Sequence, residues 1–313
     1  MTIDAAERRA AVRERYARVA TTGGSCCGPA NGDAAADHAI RTVGDGCCSP
    51  ETATPEAGPA TADAISCAVG YDESEISRVP EGANLGLGCG NPVALASLTP
   101  GETVVDLGAG AGFDCFLAAE RVGPTGRVIG VDMTPEMVER ARANAVKGGF
   151  TNVEFRLGEI EALPVRDGSV DVVISNCVLN LSADRPRVLA EVMRVLRPGG
   201  RFMISDLVSV QAVPDFIAAS KESLVGCLPV QVAEYEADLA AAGFAEVTVE
   251  PRQRYPSEHI PGDPRVRQVI EREPWREGEV RDFVESIHGG AIAAVKRAVA
   301  TTHTTIDTER NHP

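Results

Sequence analysis

The stretch VVDLGAGAGFD, residues 104–114, runs from an apolar strand-like segment through glycines at 108, 110 and 112 into a helix-like segment. Glycine suits such a turn because the backbone must bend sharply and let a ligand approach with no Cβ in the way. A dinucleotide fingerprint, G-x-G-x-x-G, would want its third glycine where Phe113 stands, and here it falls at 112. Asp106 closes the strand just before the turn. Taken alone, a glycine-rich βα turn also fits an unrelated α/β protein.

Working outward, strands and helices alternate. Glu102 to Leu107 reads as a first strand and Phe113 to Arg121 as a helix; Arg127 to Asp132 is a second strand, and the next helix opens with Thr134 as N-cap and Pro135 at its first position. Asn152 to Leu157, Val170 to Ser175 and Arg201 to Asp206 supply strands three to five, with a helix over Arg187 to Val195. Near-continuous Val/Ile runs joined by helical crossovers predict a doubly wound, mostly parallel α/β sheet covered on both faces. Further on, Val230 to Ala242 reads as a helix ended by Gly243 and Glu246 to Glu250 as a strand, while 251–298 carry no pattern that assigns them.

Upstream, Val12, Tyr16 and Val19 recur at helical spacing among charges. From about 21 to 66 the composition turns to Gly, Ala, Thr, Pro and Ser, which predicts a mobile arm. The expected division is an N-terminal helix and arm at 1–65, a cofactor domain at 66–210, a C-terminal α+β capping module at 211–298 and a disordered tail at 299–313. Removing residues 1–60 is therefore expected to leave cofactor affinity intact.

The 313 residues carry 45 acids against 30 bases, a net charge of −15, with 44% hydrophobic residues. That charge repels phosphate backbones and anionic membranes, so neither nucleic acid nor membrane is an expected partner. The acidic start lacks the apolar core of a signal peptide, and the expectation is a cytoplasmic monomer. Nine cysteines are too few for a disulfide scaffold and odd in number, which favours free thiols or soft ligands. No histidine lies between 39 and 258, so a Ser-His or Cys-His nucleophile is hard to build in the central region.

Asp132 ends strand two, where a carboxylate can accept both hydroxyls of a ribose. Together with the glycine turn and LRPGG at 196–200, this resembles the class I S-adenosylmethionine-dependent methyltransferases. The resemblance implies a Rossmann-like methyltransferase sheet with S-adenosylmethionine held by Asp106, Gly108, Gly110, Gly112 and Asp132. It also implies Met133 on the adenosine, Glu159 and Ile160 of GEIEALP at the adenine, and Asn176 among the cofactor contacts.

Three thiols stand out. Cys89 lies among glycines in GANLGLGCGNP, Cys177 follows strand four beside the topological switch point, and Cys227 follows the sheet in KESLVGCLPV. For any one of them a small buried hydrophobe is the plain alternative, and Cys115 is left with that reading. GLGCGNP, DLGAGAGFDC, VDMTPEM, SNCVLNL and VGCLPV together resemble the arsenite methyltransferases, from about Ile65 to Arg297. The resemblance implies that Cys89, Cys177 and Cys227 hold trivalent arsenic, presented as a thiol conjugate, with Cys26 or Cys27 as an N-terminal partner. An external thiol reductant of glutathione or thioredoxin type is implied too. Leu228-Pro229-Val230 departs from the family's Gly-Ala-Leu after the last cysteine.

The chemistry suits the residue types. Trivalent arsenic is soft and selects thiolates, and its lone pair can attack a sulfonium methyl with no proton to remove, so positioning replaces general base work. The alternatives are methylation of a small organic acceptor, which would need a deprotonating group, and an arsenite-binding protein without turnover.

Overall fold

The protein is described here by a computed structural model covering residues 4–22, 61–218, 227–254, 270–271 and 274–298. Most of the arm, with Cys26, Cys27, Cys47 and Cys48, and the tail from 299 lie outside the described residues. Among the described residues eight strands form one sheet: β1 (Thr103–Leu107), β2 (Arg127–Asp132), β3 (Val153–Leu157), β4 (Val170–Asn176), β5 (Leu196–Ser209), β6 (Val230–Gln231), β7 (Ala245–Arg254) and β8 (Ile287–Val295). Their order is β3-β2-β1-β4-β5-β8-β7, with β6 pairing β5. β1 pairs in parallel with both β2 and β4, which makes the β1/β4 boundary the switch point. LRPGG, read as the turn before β5, forms its first residues.

The sheet is covered on both sides because β1 alternates: Val104 packs into one apolar layer and Val105 and Leu107 into the other. Helix α5 (Phe113–Val122), α6 (Pro135–Gly148) and the short α4 (Pro92–Ala96) cover the first face; α7 (Arg185–Val195) and the helix Val232–Ala241 cover the second. The labels begin with α1 (Ala5–Thr22), α2 (Ala62–Ala68) and α3 (Glu73–Arg78). Two differences from the sequence reading matter. β8 inserts antiparallel between β5 and β7, so residues 245–254 and 287–295 continue the main sheet and do not stand apart as a capping unit. And α1 folds back onto α6, where the Arg140 guanidinium donates to the Ala20 carbonyl at 2.8 Å. Among the described residues no helix is long and apolar enough to cross a membrane.

Candidate functional site

A cavity opens at the carboxyl ends of β1, β2 and β4, where a doubly wound sheet places its ligands. Its floor is the glycine turn. Gly108 has φ +69°, and a Cβ there would meet Val178 at 2.4 Å; at Gly110, with φ +52°, a Cβ would meet nothing within 4 Å, so that side of the turn is open to a ligand. The Asp132 carboxylate fixes the turn from across the sheet, accepting from Gly110 N at 2.9 Å and from Thr134 N at 2.8 Å. Asp106, Gly108, Gly110, Asp132, Met133, Ile160, Asn176 and Cys177 all line this cavity. Gly112 is not among the lining residues; it has φ +97°, and a Cβ there would meet Phe116 at 2.7 Å and Phe155 at 2.8 Å.

Glu159 is not among the residues lining the cavity; its carboxylate pairs with Arg13 at 3.2 Å and with Arg9 at 3.9 Å. Glu161, two residues on, lines the cavity and accepts from the Ser182 hydroxyl at 2.6 Å. Arg9, Val12 and Tyr16 of α1 also line it, which differs from the expectation that residues 1–60 are dispensable for the cofactor. The pattern of Val12 and Val19 shows that one face of α1 is buried, but not what buries it.

The cavity wall is acidic. Burial and the neighbouring Asp114 push the Asp106 carboxyl well up, and burial raises Asp132. Asp114 rises to about 6, chiefly by burial and partly offset by hydrogen bonds from Tyr71 and Asn176. Nearby, burial lifts Asp206 to about 7 against bonds from Leu207 N and Asn180 N. The Cys115 thiol donates to Asp106 at 3.2 Å, and burial pushes its own pKa up, so it is no nucleophile at neutral pH.

Carboxyls whose folded pKa is raised hold protons that the unfolded chain releases. Their stabilisation is therefore present at low pH and lost as pH rises through about 6 and 7. The ligand-free protein should lose on the order of 1 to 3 kcal/mol between pH 5 and 7.5. Asp206→Asn should flatten that slope in thermal melts. An unchanged slope would remove Asp206 as its source.

The thiols converge beside the cavity. Cys89 and Cys177 are joined by a disulfide, with their α-carbons 5.7 Å apart, and the Cys227 sulfur lies 3.5 Å from the Cys177 carbonyl oxygen. All three belong to one apolar cluster with Leu207, Phe283 and Ile287. Cys177 adopts φ +55°, a left-handed conformation costly for a residue with a Cβ, and its N–H donates to the Ser205 carbonyl at 2.8 Å. The Cys89 loop comes close to β8, where a Cβ on Gly289 would sit 2.9 Å from the Cys89 carbonyl oxygen. Cys67 is also disulfide-bonded. Among the described residues no three His, Cys, Asp or Glu side chains form a metal-holding group, consistent with two of these thiols being tied to each other.

Comparison with known proteins adds to this geometry. The methyltransferase domain family matches residues 98–250. The arsenite methyltransferase of Halobacterium salinarum is 51% identical over 80% of this chain and 60% of its own length, and the mouse arsenite methyltransferase is 42% identical over 40% of this chain and 36% of its own. The chain thus spans less than two thirds of the curated relatives it matches. The crystal structure of an arsenic(III) S-adenosylmethionine methyltransferase from Chlamydomonas reinhardtii is 29% identical, with TM-score 0.51 over 78% of this chain and 76% of that one. The YcgJ protein of Bacillus subtilis is 26% identical, with TM-score 0.52 over 66% of this chain and 97% of that one. With the parallel sheet, the glycine turn at the cavity floor and these likenesses together, residues 98–250 carry a methyltransferase domain, and the chain is similar to the arsenite methyltransferases over a larger part of its length.

Proposed function

We propose that this protein methylates thiol-bound trivalent arsenic with S-adenosylmethionine as donor. The observation that carries the reading is the meeting of Cys89, Cys177 and Cys227 at the edge of the cofactor cavity. The cavity fits the cofactor on its own chemistry: an open glycine turn and a carboxylate for a diol. When bound, the cofactor supplies an electrophilic methyl group, which the arsenic lone pair takes while the carbon–sulfur bonding pair stays on the cofactor's sulfur.

The chain's own residues do the rest. Cys89 and Cys177 must first be reduced, two electrons and two protons coming from an external dithiol or two glutathione molecules, which become a disulfide. Three thiolates then replace the conjugate's thiols on arsenic and keep it pyramidal, its lone pair free. Apolar neighbours such as Leu207 and Phe283 limit water around the sulfurs. Once arsenic has gained a methyl and become pentavalent, attack of a further thiolate on one arsenic-bound sulfur forms a disulfide and returns arsenic to the trivalent state. Each turnover thus needs reductant, and we propose a small thiol or a thioredoxin-like protein for it. We further propose that the protein works as a monomer in the cytoplasm, and that Cys26 or Cys27 supplies the further thiolate.

The organic-acceptor alternative is less well supported, because it needs a base at the cavity, and Asp106 and Asp114 are engaged in hydrogen bonds within the wall while Asp132 is assigned to the cofactor's ribose. The deciding experiment incubates full-length protein, arsenite, glutathione and labelled cofactor, and separates the arsenic species. Label in methylated arsenic is the expected result; cofactor turnover without it would sink the reading.

The arm is tested separately. Deleting residues 23–60 should leave cofactor affinity unchanged and slow methylation, whereas deleting 1–60 should also weaken cofactor binding, since α1 lines the cavity. If both truncations methylate at the full rate, the arm cysteines have no role.

A further inference from the structure

A thiol that helps bind arsenic must sit in a fixed place, yet Cys89 lies in a loop with glycines at 86, 88 and 90, which by themselves leave the backbone free. The loop is held by the side chain of Asn176, the residue before Cys177. Its Oδ1 accepts from Cys89 N at 2.9 Å, and its Nδ2 donates to the Gly90 carbonyl at 2.9 Å. One carboxamide thus grips the main chain on both sides of the thiol. The glycines let the grip close: a Cβ on Gly88 would stand 2.7 Å from Asn176 Nδ2, and one on Gly90 would stand 2.8 Å from Ser205.

A carboxamide can be turned either way round, and only one orientation serves Cys89 N–H. Asp114 decides it. Its Oδ2 accepts from Asn176 Nδ2 at 3.0 Å, and a carboxylate at that point requires an N–H, so the amide oxygen must face Cys89. Asp114 is held in turn by the Tyr71 hydroxyl, which donates to its other oxygen at 2.6 Å and lies 2.8 Å from Asn176 Nδ2. Tyr71 and Asp114 are only 4% and 7% exposed, so water does not compete for these bonds. Next along the chain, Asn91 donates to the buried Glu75 at 2.9 Å and caps α4, closing the far end of the loop.

We propose that Tyr71 and Asp114 are positioning residues that act through Asn176 to set Cys89 opposite Cys177. The proposal rests on the arsenic-binding reading for its purpose but not for its geometry. All three residues also line the cofactor cavity, so the wall of that cavity is the device that aligns the thiols. Asn176, named from the sequence as a cofactor contact, has its side chain committed to this clamp.

The test uses the full chain with two conservative variants. Tyr71→Phe keeps the ring that packs edge-on against Phe113 at 4.8 Å and removes only the hydroxyl. Asp114→Asn keeps the shape and loses one of two acceptors. The first readout is the dithiol–disulfide equilibrium of the Cys89–Cys177 pair in a glutathione buffer, followed by mass spectrometry of the linked peptides. Each variant should shift it roughly tenfold toward the open dithiol, as loss of a hydrogen bond to a buried charge implies. The second is arsenite affinity of the reduced protein by calorimetry, expected to fall roughly tenfold in Tyr71→Phe. In a Cys89→Ser background Tyr71→Phe should add nothing, which a general loosening would not reproduce. An unchanged thiol equilibrium in both variants, or an equal further loss of arsenite affinity from Tyr71→Phe in the Cys89→Ser background, overturns the proposal. A wild-type protein that binds no arsenite would instead overturn the proposed function, while the glutathione equilibrium would still decide the clamp.

Discussion

Replacing Cys89, Cys177 or Cys227 singly by serine should abolish tight arsenite binding and the methylation of arsenic while the fold and the cofactor site survive. Serine is close to cysteine in size, but its hydroxyl is a hard, neutral donor, and soft trivalent arsenic discriminates strongly against it. Four-ligand thiolate and imidazole sites bind soft metals with roughly 10 to 16 kcal/mol, so one ligand is worth about 3 kcal/mol, or about 100-fold in affinity. The three positions should differ in a secondary way. Cys177 is 3% exposed and holds a left-handed backbone conformation, so its serine variant also loses packing in the cluster around Leu207 and Phe283, and a lowered melting temperature is expected there. Cys227 is not joined to Cys89 or Cys177, so its replacement should leave their disulfide able to form and separate binding from pairing. X-ray absorption on the reduced protein gives the decisive reading. Three sulfur neighbours should fall to two in each variant, and oxygen-only coordination in the wild type would end the assignment.

These residues were legible in the sequence for a particular reason. β1, β2 and β4 are runs of Val and Ile buried on both faces, so their hydrophobicity marks them without help from periodicity, and their limits fall within a residue or so of the structure. A site at the ends of such strands inherits that accuracy, which is why Asp106, Asp132 and Cys177 could be placed. β8 shows the opposite case. IHGGAIAAV is poor in β-branched residues because Gly289 and Gly290 must admit Cys89 and Val208, so the strand that completes the sheet carries a weak strand signal. Glu159 and Glu161 show a different limit. Both are acids in one short loop, and what separates them is Arg9 and Arg13, about 150 residues away in the chain. No local pattern carries that information. The clamp on Cys89 is of the same kind, since Tyr71, Asp114 and Asn176 meet only through the fold.

Asp132→Ala should weaken S-adenosylmethionine binding by about 1.5 to 3 kcal/mol, or roughly 10- to 150-fold, the range for hydrogen bonds to a charged group. Each oxygen of Asp132 accepts one backbone N–H, from Thr134 and from Gly110, which leaves lone pairs on a carboxylate that lines the cavity. Those lone pairs are the acceptors we propose for two ribose hydroxyls. The same carboxylate holds the Gly110 end of the turn, so part of the loss will come from a loosened loop, and a control is needed to apportion it. The demethylated cofactor provides that control, because it has the same ribose and lacks the sulfonium charge. If Asp132 acts on the diol and the turn, both forms should lose affinity by the same factor. If it acts mainly as one member of the acidic wall with Asp106 and Asp114, the methylated cation should lose much more than the neutral thioether. Calorimetry with the two ligands on wild type and variant separates these cases. Unchanged affinity for both would mean that Asp132 is not the ribose acceptor, whatever its place at the end of β2.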